Sequence, residues 1–360
     1  MKNIFLVNHA SRKTGSMNYF EDYLIRKNLN VSRLSHPLDN YHNEKTYYFE
    51  NKTMIKSYPR YNLGIINLVL DFFITIFFLL PKKINIYIGA NNFDTFVGIC
   101  LKKIGKKIDK IIFFGSDFSE NRFKNHLLDK IYNYIERVVV KNADFTISNT
   151  IRAEQKRISM GLLKEKSFVI PNGIYIADPS FPEKSIAKNK FIFIGSLTKE
   201  HGLFDFIKFF YKNISELVVI GIGEEFDSIV NFCKKNNISL NILGAQTHEF
   251  VINFLKSFNG FGLAPYNLDS KWTYYCSPSK IGEYVACGIP VVMSSVPEIA
   301  SYVKKNELGL IFESFCEEEL RNLQNSIMKF NTNEYCKKAE TFYIEFKRDT
   351  LYKKLDFLFQ

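Results

Sequence analysis

The sequence predicts an α/β protein with two doubly wound domains, and three observations support this prediction. Short apolar runs alternate with longer amphipathic segments, which is typical of parallel strands connected by helices. The alternation stops at 176–188, where two prolines and little periodicity indicate a linker, and then begins again. At 360 residues, the chain is long enough for two domains of ordinary size.

The first half alternates strands with helices from the N-terminus to a strong turn at Pro171-Asn172-Gly173. We predict strands at 3–8, 84–89, 111–115 and 145–149. We predict helices at 16–29, 93–106 and 122–142. These elements form the predicted N-terminal domain, residues 1–172, which is followed by a linker over 173–188.

The second half repeats the same alternation and forms the predicted C-terminal domain, residues 189–335. We predict strands at 190–195, 217–221, 239–243, 261–264, 289–293 and 309–312. We predict helices at 202–212, 224–236, 247–257 and 278–287. Residues 336–360 are helical and charged, and we expect them to pack back on the N-terminal domain.

Composition limits the compartment and the partners. Six cysteines form no Cys-x-x-Cys pair, which favours a reducing compartment over a disulfide scaffold. The first apolar run is too short for a secretory signal, so a cytoplasmic protein is expected. A net charge of +11 admits anionic partners, but no nucleic-acid motif is present, and nucleic acid is not expected.

Two segments of the first half raise the question of membrane contact. Residues 63–80 are apolar but are interrupted by Asn67 and Asp71, so a packed helix or a membrane-surface helix is favoured over a span. The segment 101–110, "LKKIGKKIDK", is either a solvated basic face or an attachment to anionic lipid head groups. Peripheral contact with the inner face of the membrane is therefore one expectation.

The stretch "SPSKIGE" at 277–283 has the pattern of an anion site at a helix start. Ser277 is a candidate N-cap, and free N–H groups in the first turn attract anions. Lys280 adds a full charge, and Ser279 and Glu283 share one helix face. We predict that Lys280 binds a diphosphate and that Glu283 binds ribose hydroxyls. The alternative is an ordinary capped helix with a surface lysine and glutamate.

A second candidate anion loop follows the first strand of the second domain, in "FIGSLTKEHGLFDF" at 193–206. Gly195 allows close approach of the backbone to a ligand. Ser196, Lys199 and His201 supply donors for a diphosphate, unless this is only a polar strand-to-helix loop. No Asp-x-Asp pair is present to hold a metal on the diphosphate, and we expect neither a metal nor a cofactor beyond the donor.

Taken together, these stretches resemble the GT-B fold glycosyltransferases, specifically retaining enzymes of family 4 type. "IPNGI" at 170–174 is similar to that family's interdomain signature, and "FIGSLTKEHG" to its glycine loop. "SPSKIGEYVACGIPVV" is similar to a subgroup motif in which Tyr275 stands in place of the first acid of the E-x7-E pair. The resemblance implies two Rossmann-like domains facing a cleft, a C-terminal helix that crosses back, and a nucleotide-diphosphate sugar as donor.

The resemblance also implies an activity: transfer of a sugar to a glycan or lipid-linked acceptor in bacterial cell-surface polysaccharide synthesis. The resemblance implies that the diphosphate is bound by Lys280, Ser279, Ser196 and Lys199, and in such a reaction Lys280 stabilises it as it departs. Asp117 and His9 are candidates for contacting the acceptor hydroxyl, with Asp117 favoured, although either could only cap a loop. A GT-B-like sugar-nucleotide epimerase and a non-catalytic binding partner in an assembly complex are the alternatives.

Overall fold

The structure is a computed structural model that describes residues 2–10, 16–37, 45–59, 66–123, 125–182, 185–332 and 334–360. The chain divides into two compact units. The first unit contains Met1–Pro171 and Tyr352–Gln360, and the second contains Asn172–Leu351. Parts of the apolar segment 63–80 and of the loop after the first strand lie outside the described residues.

The first unit is built on an eight-stranded sheet with helices between its strands. Its strands are β1 (Asn3–Ala10), β2 (Asn30–Pro37), β3 (Thr46–Glu50), β4 (Thr53–Tyr58), β5 (Ile86–Gly89), β6 (Lys110–Gly115), β7 (Phe145–Ser148) and β8 (Ser167–Val169). Its helices are α1 (Ser16–Arg26), α2 (Ile66–Leu79), α3 (Asn92–Lys103), α4 (His126–Asn142) and α5 (Ile151–Ser159). The strand order is β4-β3-β2-β1-β5-β6-β7-β8, and only β3 runs antiparallel to its neighbours.

The second unit is built on a six-stranded parallel sheet of order β11-β10-β9-β12-β13-β14. Its strands are β9 (Lys190–Ile194), β10 (Glu216–Ile220), β11 (Ser239–Ile242), β12 (Phe261–Ala264), β13 (Val291–Ser294) and β14 (Gly309–Phe312). Its helices are α6 (Leu203–Phe210), α7 (Phe226–Lys235), α8 (His248–Ser257), α9 (Lys271–Tyr274), α10 (Ser279–Ala286), α11 (Ile299–Lys305), α12 (Glu317–Lys329) and α13 (Tyr335–Phe346). A last helix, α14 (Arg348–Lys353), runs across the boundary into the first unit.

Both faces of the second sheet are covered, as a doubly wound fold requires. Along β9, Phe191 and Phe193 point into one apolar cluster, and Ile192 points into another. All strands predicted from the sequence are present, with ends within two residues of the predicted ones. Strands β2, β3, β4 and β8 are additions that the sequence did not predict.

The structure places residues of the predicted linker and most of the C-terminal segment in the second unit, which the sequence did not predict. Ile174 and Ile176, within the predicted linker 173–188, are buried in the core of the second unit. Within 336–360, helix α13 also packs in the second unit, because its apolar face contacts α10. Only 352–360 belongs to the first unit, where the Tyr352 ring packs against Phe20 at 4.9 Å between centroids.

Helix α2 has an inverted pattern of burial. Its buried residues include the polar side chains Asn67, Asp71 and Thr75, spaced four apart on one face. The opposite face exposes large apolar side chains, of which Phe77 is 69% exposed and Phe73 is 50% exposed. Neither α2 nor any other helix in the described ranges combines the length and apolarity needed to cross a membrane.

Candidate functional site

The first turn of α10 carries the two residues on which the sequence argument rests. Helix α10 begins at Ser279 after Pro278, and no side chain caps it. The prediction that Ser277 is the N-cap was therefore wrong. Its Oγ instead accepts a hydrogen bond from the backbone N–H of Asn172 at 3.0 Å, while the Asn172 amide donates to the Ser277 carbonyl at 2.7 Å. These two bonds fix the turn between α9 and α10.

Lys280 is a buried cation, and no described residue accepts a hydrogen bond from its ammonium. The Nζ atom lies 4.3 Å from the ring centroid of Phe193 and 5.1 Å from that of Tyr266. Burial lowers the pKa of Lys280 to about 7, because the charged form loses hydration. A lysine in this state is prepared to bind an anion that supplies the missing acceptors.

The glycine loop after β9 lies directly beside Lys280. Gly195 has φ +137°, and a Cβ built there would be 3.0 Å from Lys280 Nζ. Gly202 adopts the left-handed conformation, with φ 68°, between a 3-10 turn and α6. The loop therefore places backbone without a side chain next to the ammonium, and the close approach of a ligand to Gly195 stays a prediction.

The other predicted residues of this loop divide into one that is packed and two that are exposed. His201 packs edge-on to Phe193, with 6.5 Å between ring centroids, and its Nδ1 lies 3.0 Å from Thr198 Oγ1. Burial, and then the charge of Lys280, lower the pKa of His201 to about 4, so it is neutral. Ser196 and Lys199 are exposed.

Glu283 has a partner that the sequence did not predict. Nε2 of His248, the first residue of α8, lies 3.2 Å from Glu283 Oε1. This hydrogen bond raises the pKa of His248, and the Glu283 side chain remains 17% exposed. Ser279 is exposed one turn before Glu283. His248 thus holds the orientation of the carboxylate that we predict to contact ribose.

The first unit places the two candidate acceptor residues in different environments. Asp117 is exposed in the loop after β6, and its carbonyl accepts a hydrogen bond from Arg157 at 3.1 Å. His9, at the end of β1, is 9% exposed, and its Nδ1 lies 2.5 Å from Asp94 Oδ1. Burial opposes the charge on His9, yet Asp94 and Asp71 raise its pKa to about 9.

The structure thus brings together Gly195, His201 and Lys280, with Glu283 on the next turn of α10. Phe193 and Tyr266, which the sequence argument missed, form the aromatic surface under Lys280. An aromatic residue within a buried strand carries no sequence signal that separates such a role from core packing. His248 was missed because a lone histidine has no partner in its own segment.

Residues 191–355 match the family model described as "Glucosyltransferase 3-like, C-terminal domain". No curated protein sequence matches the chain significantly. The lipopolysaccharide outer core galactosyltransferase WaaB is similar in structure, with a TM-score of 0.72 at 15% identity over 99% of this chain and 98% of that one.

Two further solved structures are similar to this structure over the whole length of the chain. Sucrose-phosphate synthase from Thermosynechococcus elongatus has a TM-score of 0.72 at 14% identity, covering 100% of this chain and 98% of that one. HepE from Anabaena, in complex with UDP-glucose, has a TM-score of 0.68 at 12% identity, with coverages of 100% and 99%. The chain has the GT-B fold. The prediction of two α/β domains with parallel sheets is confirmed.

Proposed function

We propose that the chain is a retaining glycosyltransferase that moves a hexose from a UDP-sugar to a glycan or lipid-linked acceptor of bacterial cell-surface polysaccharide. The observation that carries this proposal is the buried ammonium of Lys280, beside open glycine backbone and at the first turn of α10. The match of 191–355 to a glucosyltransferase-like domain supports it. The uridine base is proposed because the structural neighbours include a complex with UDP-glucose.

In the proposed reaction, the bond between the sugar and the diphosphate breaks, and negative charge grows on the departing oxygens. Lys280 and the N–H groups of the first turn of α10 stabilise this charge, with Lys199 and Ser196 reaching from the exposed loop. Glu283, oriented by His248, accepts hydrogen bonds from the ribose hydroxyls. We propose that these residues hold the diphosphate without a metal ion.

Asp117 is proposed to contact the acceptor hydroxyl, because its side chain is exposed while its backbone is held by Arg157. The contact of His9 with the acceptor stays a prediction. In this structure both of its ring nitrogens face carboxylates.

A panel of nucleotide diphosphates and their sugars tests the donor assignment. UDP at 100 times its Kd is expected to stabilise the folded protein by about 2.7 kcal/mol in a thermal-shift measurement, and GDP, ADP and TDP much less. Stabilisation by none of them would refute the donor site. With a UDP-sugar and an acceptor, NMR of the product is expected to show the anomeric configuration of the donor. Isomerisation of the UDP-sugar without an acceptor would instead identify an epimerase.

We also propose that the exposed apolar face of α2 rests on an anionic membrane surface at the cytoplasmic side. Phe73 and Phe77 are exposed on this face. Lys106, in the basic segment 101–110, donates to the carbonyls of Leu80 and Lys82 just after α2. An apolar helix face bordered by lysines is the pattern of an interfacial helix.

Vesicle sedimentation checks this membrane proposal. The wild type is expected to sediment with vesicles containing 30% phosphatidylglycerol, and the F73S/F77S double variant to lose at least about tenfold in partitioning. Each exposed aromatic ring contributes apolar area that would leave water on binding. Met328→Ser, which changes an exposed apolar residue of α12, is the matched control. Equal sedimentation of F73S/F77S and wild type would contradict the proposal.

A further inference from the structure

A second cluster of reactive side chains lies in the first unit, where β1 and β2 end. His9 and His36 are partners in the parallel register of these two strands, and their rings stack with 4.8 Å between centroids. Asp71, on the buried polar face of α2, lies against both rings. All three side chains are buried. The cluster belongs to the first unit, whereas Lys280 and Gly195 belong to the second.

The two oxygens of the Asp71 carboxylate each face one of the two imidazole rings. Asp71 Oδ2 lies 3.4 Å from His9 Nε2, and Asp71 Oδ1 lies 3.3 Å from His36 Nδ1. Tetrahedral zinc with bonds of about 2.0–2.1 Å separates its ligand atoms by about 3.3 Å, so the carboxylate must turn to bring one oxygen to that distance from both nitrogens. His9 Nε2 is buried, and its contact with Asp71 Oδ2 is longer than an ordinary hydrogen bond. The three ligand atoms all lie within 4.8 Å of one another.

The outward nitrogen of each histidine is already held by a supporting group. His9 Nδ1 faces Asp94, which also accepts a hydrogen bond from the His9 backbone N–H. His36 Nε2 lies 2.8 Å from Thr75 Oγ1, and that hydroxyl donates its own proton to the Asp71 carbonyl at 2.6 Å. Thr75 must then accept from His36 Nε2–H, so His36 Nδ1 is the bare nitrogen. Histidines that ligate metals have such supports on the opposite nitrogen.

The burial and the charge of the two carboxylates in the cluster also favour a bound cation. Asp71 and Asp94 bring two carboxylates into a site from which water is excluded, and buried charge needs compensation. A divalent cation that takes the place of the ring proton on His9 balances both. The Thr46 hydroxyl, 3.0 Å from His36 Nδ1, is the group that must turn away when an ion enters.

We propose that His9, His36 and Asp71 bind one divalent transition-metal ion of the zinc class, with Asp94 and Thr75 as supporting residues. Two imidazole nitrogens and one carboxylate oxygen are a donor set suited to Zn²⁺ and Co²⁺ and poorly suited to Mg²⁺. The ion ties α2 to the ends of β1 and β2. It also gives a reason for α2 to bury a polar face.

Titration of the metal-free wild type with Co²⁺ tests the site without any variant. One equivalent is expected to give the intense visible absorption band of tetrahedral cobalt, and Zn²⁺ is expected to displace it. Elemental analysis of protein dialysed against Zn²⁺ is expected to find one zinc per chain. A folded protein that shows neither the band nor the bound zinc would overturn the proposal.

Variants then assign the ligands. Asp71→Asn and His36→Gln are each expected to abolish stoichiometric zinc, and Thr75→Val to weaken zinc affinity about 10–100-fold. His126→Gln, which changes an exposed histidine at the start of α4, is the matched control and is expected to keep the metal. Zinc retained by folded His36→Gln, as judged by circular dichroism, would also overturn the proposal.

Discussion

Replacement of Lys280 by methionine is expected to weaken UDP binding about 100-fold or more and, at the same time, to stabilise the free protein. Removal of one partner from a buried charged contact typically costs about 2–5 kcal/mol of binding free energy, and about 3 kcal/mol corresponds to roughly 100-fold. Methionine has nearly the same length, and it can pack on the rings of Phe193 and Tyr266. Isothermal titration calorimetry with UDP measures the loss.

The gain in stability follows from the same burial. In the free protein, the ammonium of Lys280 has lost water and has no described hydrogen-bond acceptor, so its removal is expected to raise the free energy of unfolding by about 1–3 kcal/mol. The folded pKa of Lys280 is lowered to about 7, below that of the unfolded chain. The buried charge therefore lowers the free energy of unfolding by its full amount below pH 7, and this destabilisation decreases as the pH rises from 7 toward 10.5.

A control variant and the pH dependence of UDP affinity test whether the effect belongs to Lys280. Lys208→Met, which changes a half-exposed lysine on α6, is expected to leave both UDP affinity and stability near wild type. Wild-type affinity for UDP is expected to fall as the pH rises above 7, because Lys280 must take up a proton to hold the diphosphate. This pH dependence is expected to be absent in Lys280→Met. A variant that binds UDP normally would remove Lys280 from the proposed site.

The alternation of the sequence was sufficient to predict most of the fold. Strands such as β9 and β13 are buried on both faces and appear as short continuous apolar runs, which turn residues separate from the helices. Strand β2 was not predicted, because two of its buried positions are Arg33 and His36 rather than apolar residues. Arg33 is neutralised by Glu21 at 2.8 Å, a contact that sequence alone cannot reveal.

Helix α2 shows a second limit of sequence patterns. Its apolar residues predicted an apolar helix either packed in the domain or lying on a membrane surface, and they gave no orientation. The structure turns Asn67, Asp71 and Thr75 inward, because their partners lie on other segments. His36 and Thr75, for example, are 39 residues apart. No local spacing marks such a cluster.

The candidate donor site was predictable where its residues share one short segment. Lys280 and Glu283 lie on the same helix, so their spacing alone predicts a common location. His248 contacts Glu283 from 35 residues away, and the ring of Tyr266 reaches Lys280 from the loop after β12. These contacts depend on the order of the strands in the sheet, so local spacing in the sequence could not predict them.

Replacement of Arg157 by methionine is expected to destabilise the protein by about 3–5 kcal/mol. Arg157 is fully buried, and its Nε donates to Glu136 at 2.8 Å. Its terminal nitrogens donate to the Gly115 carbonyl and the Ser148 hydroxyl as well as to the Asp117 carbonyl. Methionine would leave the buried Glu136 carboxylate without its cation. Removal of one partner of a buried ion pair destabilises a protein more than replacement of both partners by apolar residues. Urea denaturation measures the change.

The neighbouring exposed lysine provides the control. Lys156→Met removes a half-exposed ion pair with Glu120 and is expected to change stability by less than about 1 kcal/mol. The double variant R157M/E136L replaces both buried charges by apolar groups and is expected to recover a large part of the loss. Because Arg157 also holds the backbone at Asp117, Arg157→Met is expected to raise the KM for the acceptor more than the Kd for UDP. An equal loss in both would show that Arg157 supports the fold alone and does not position Asp117.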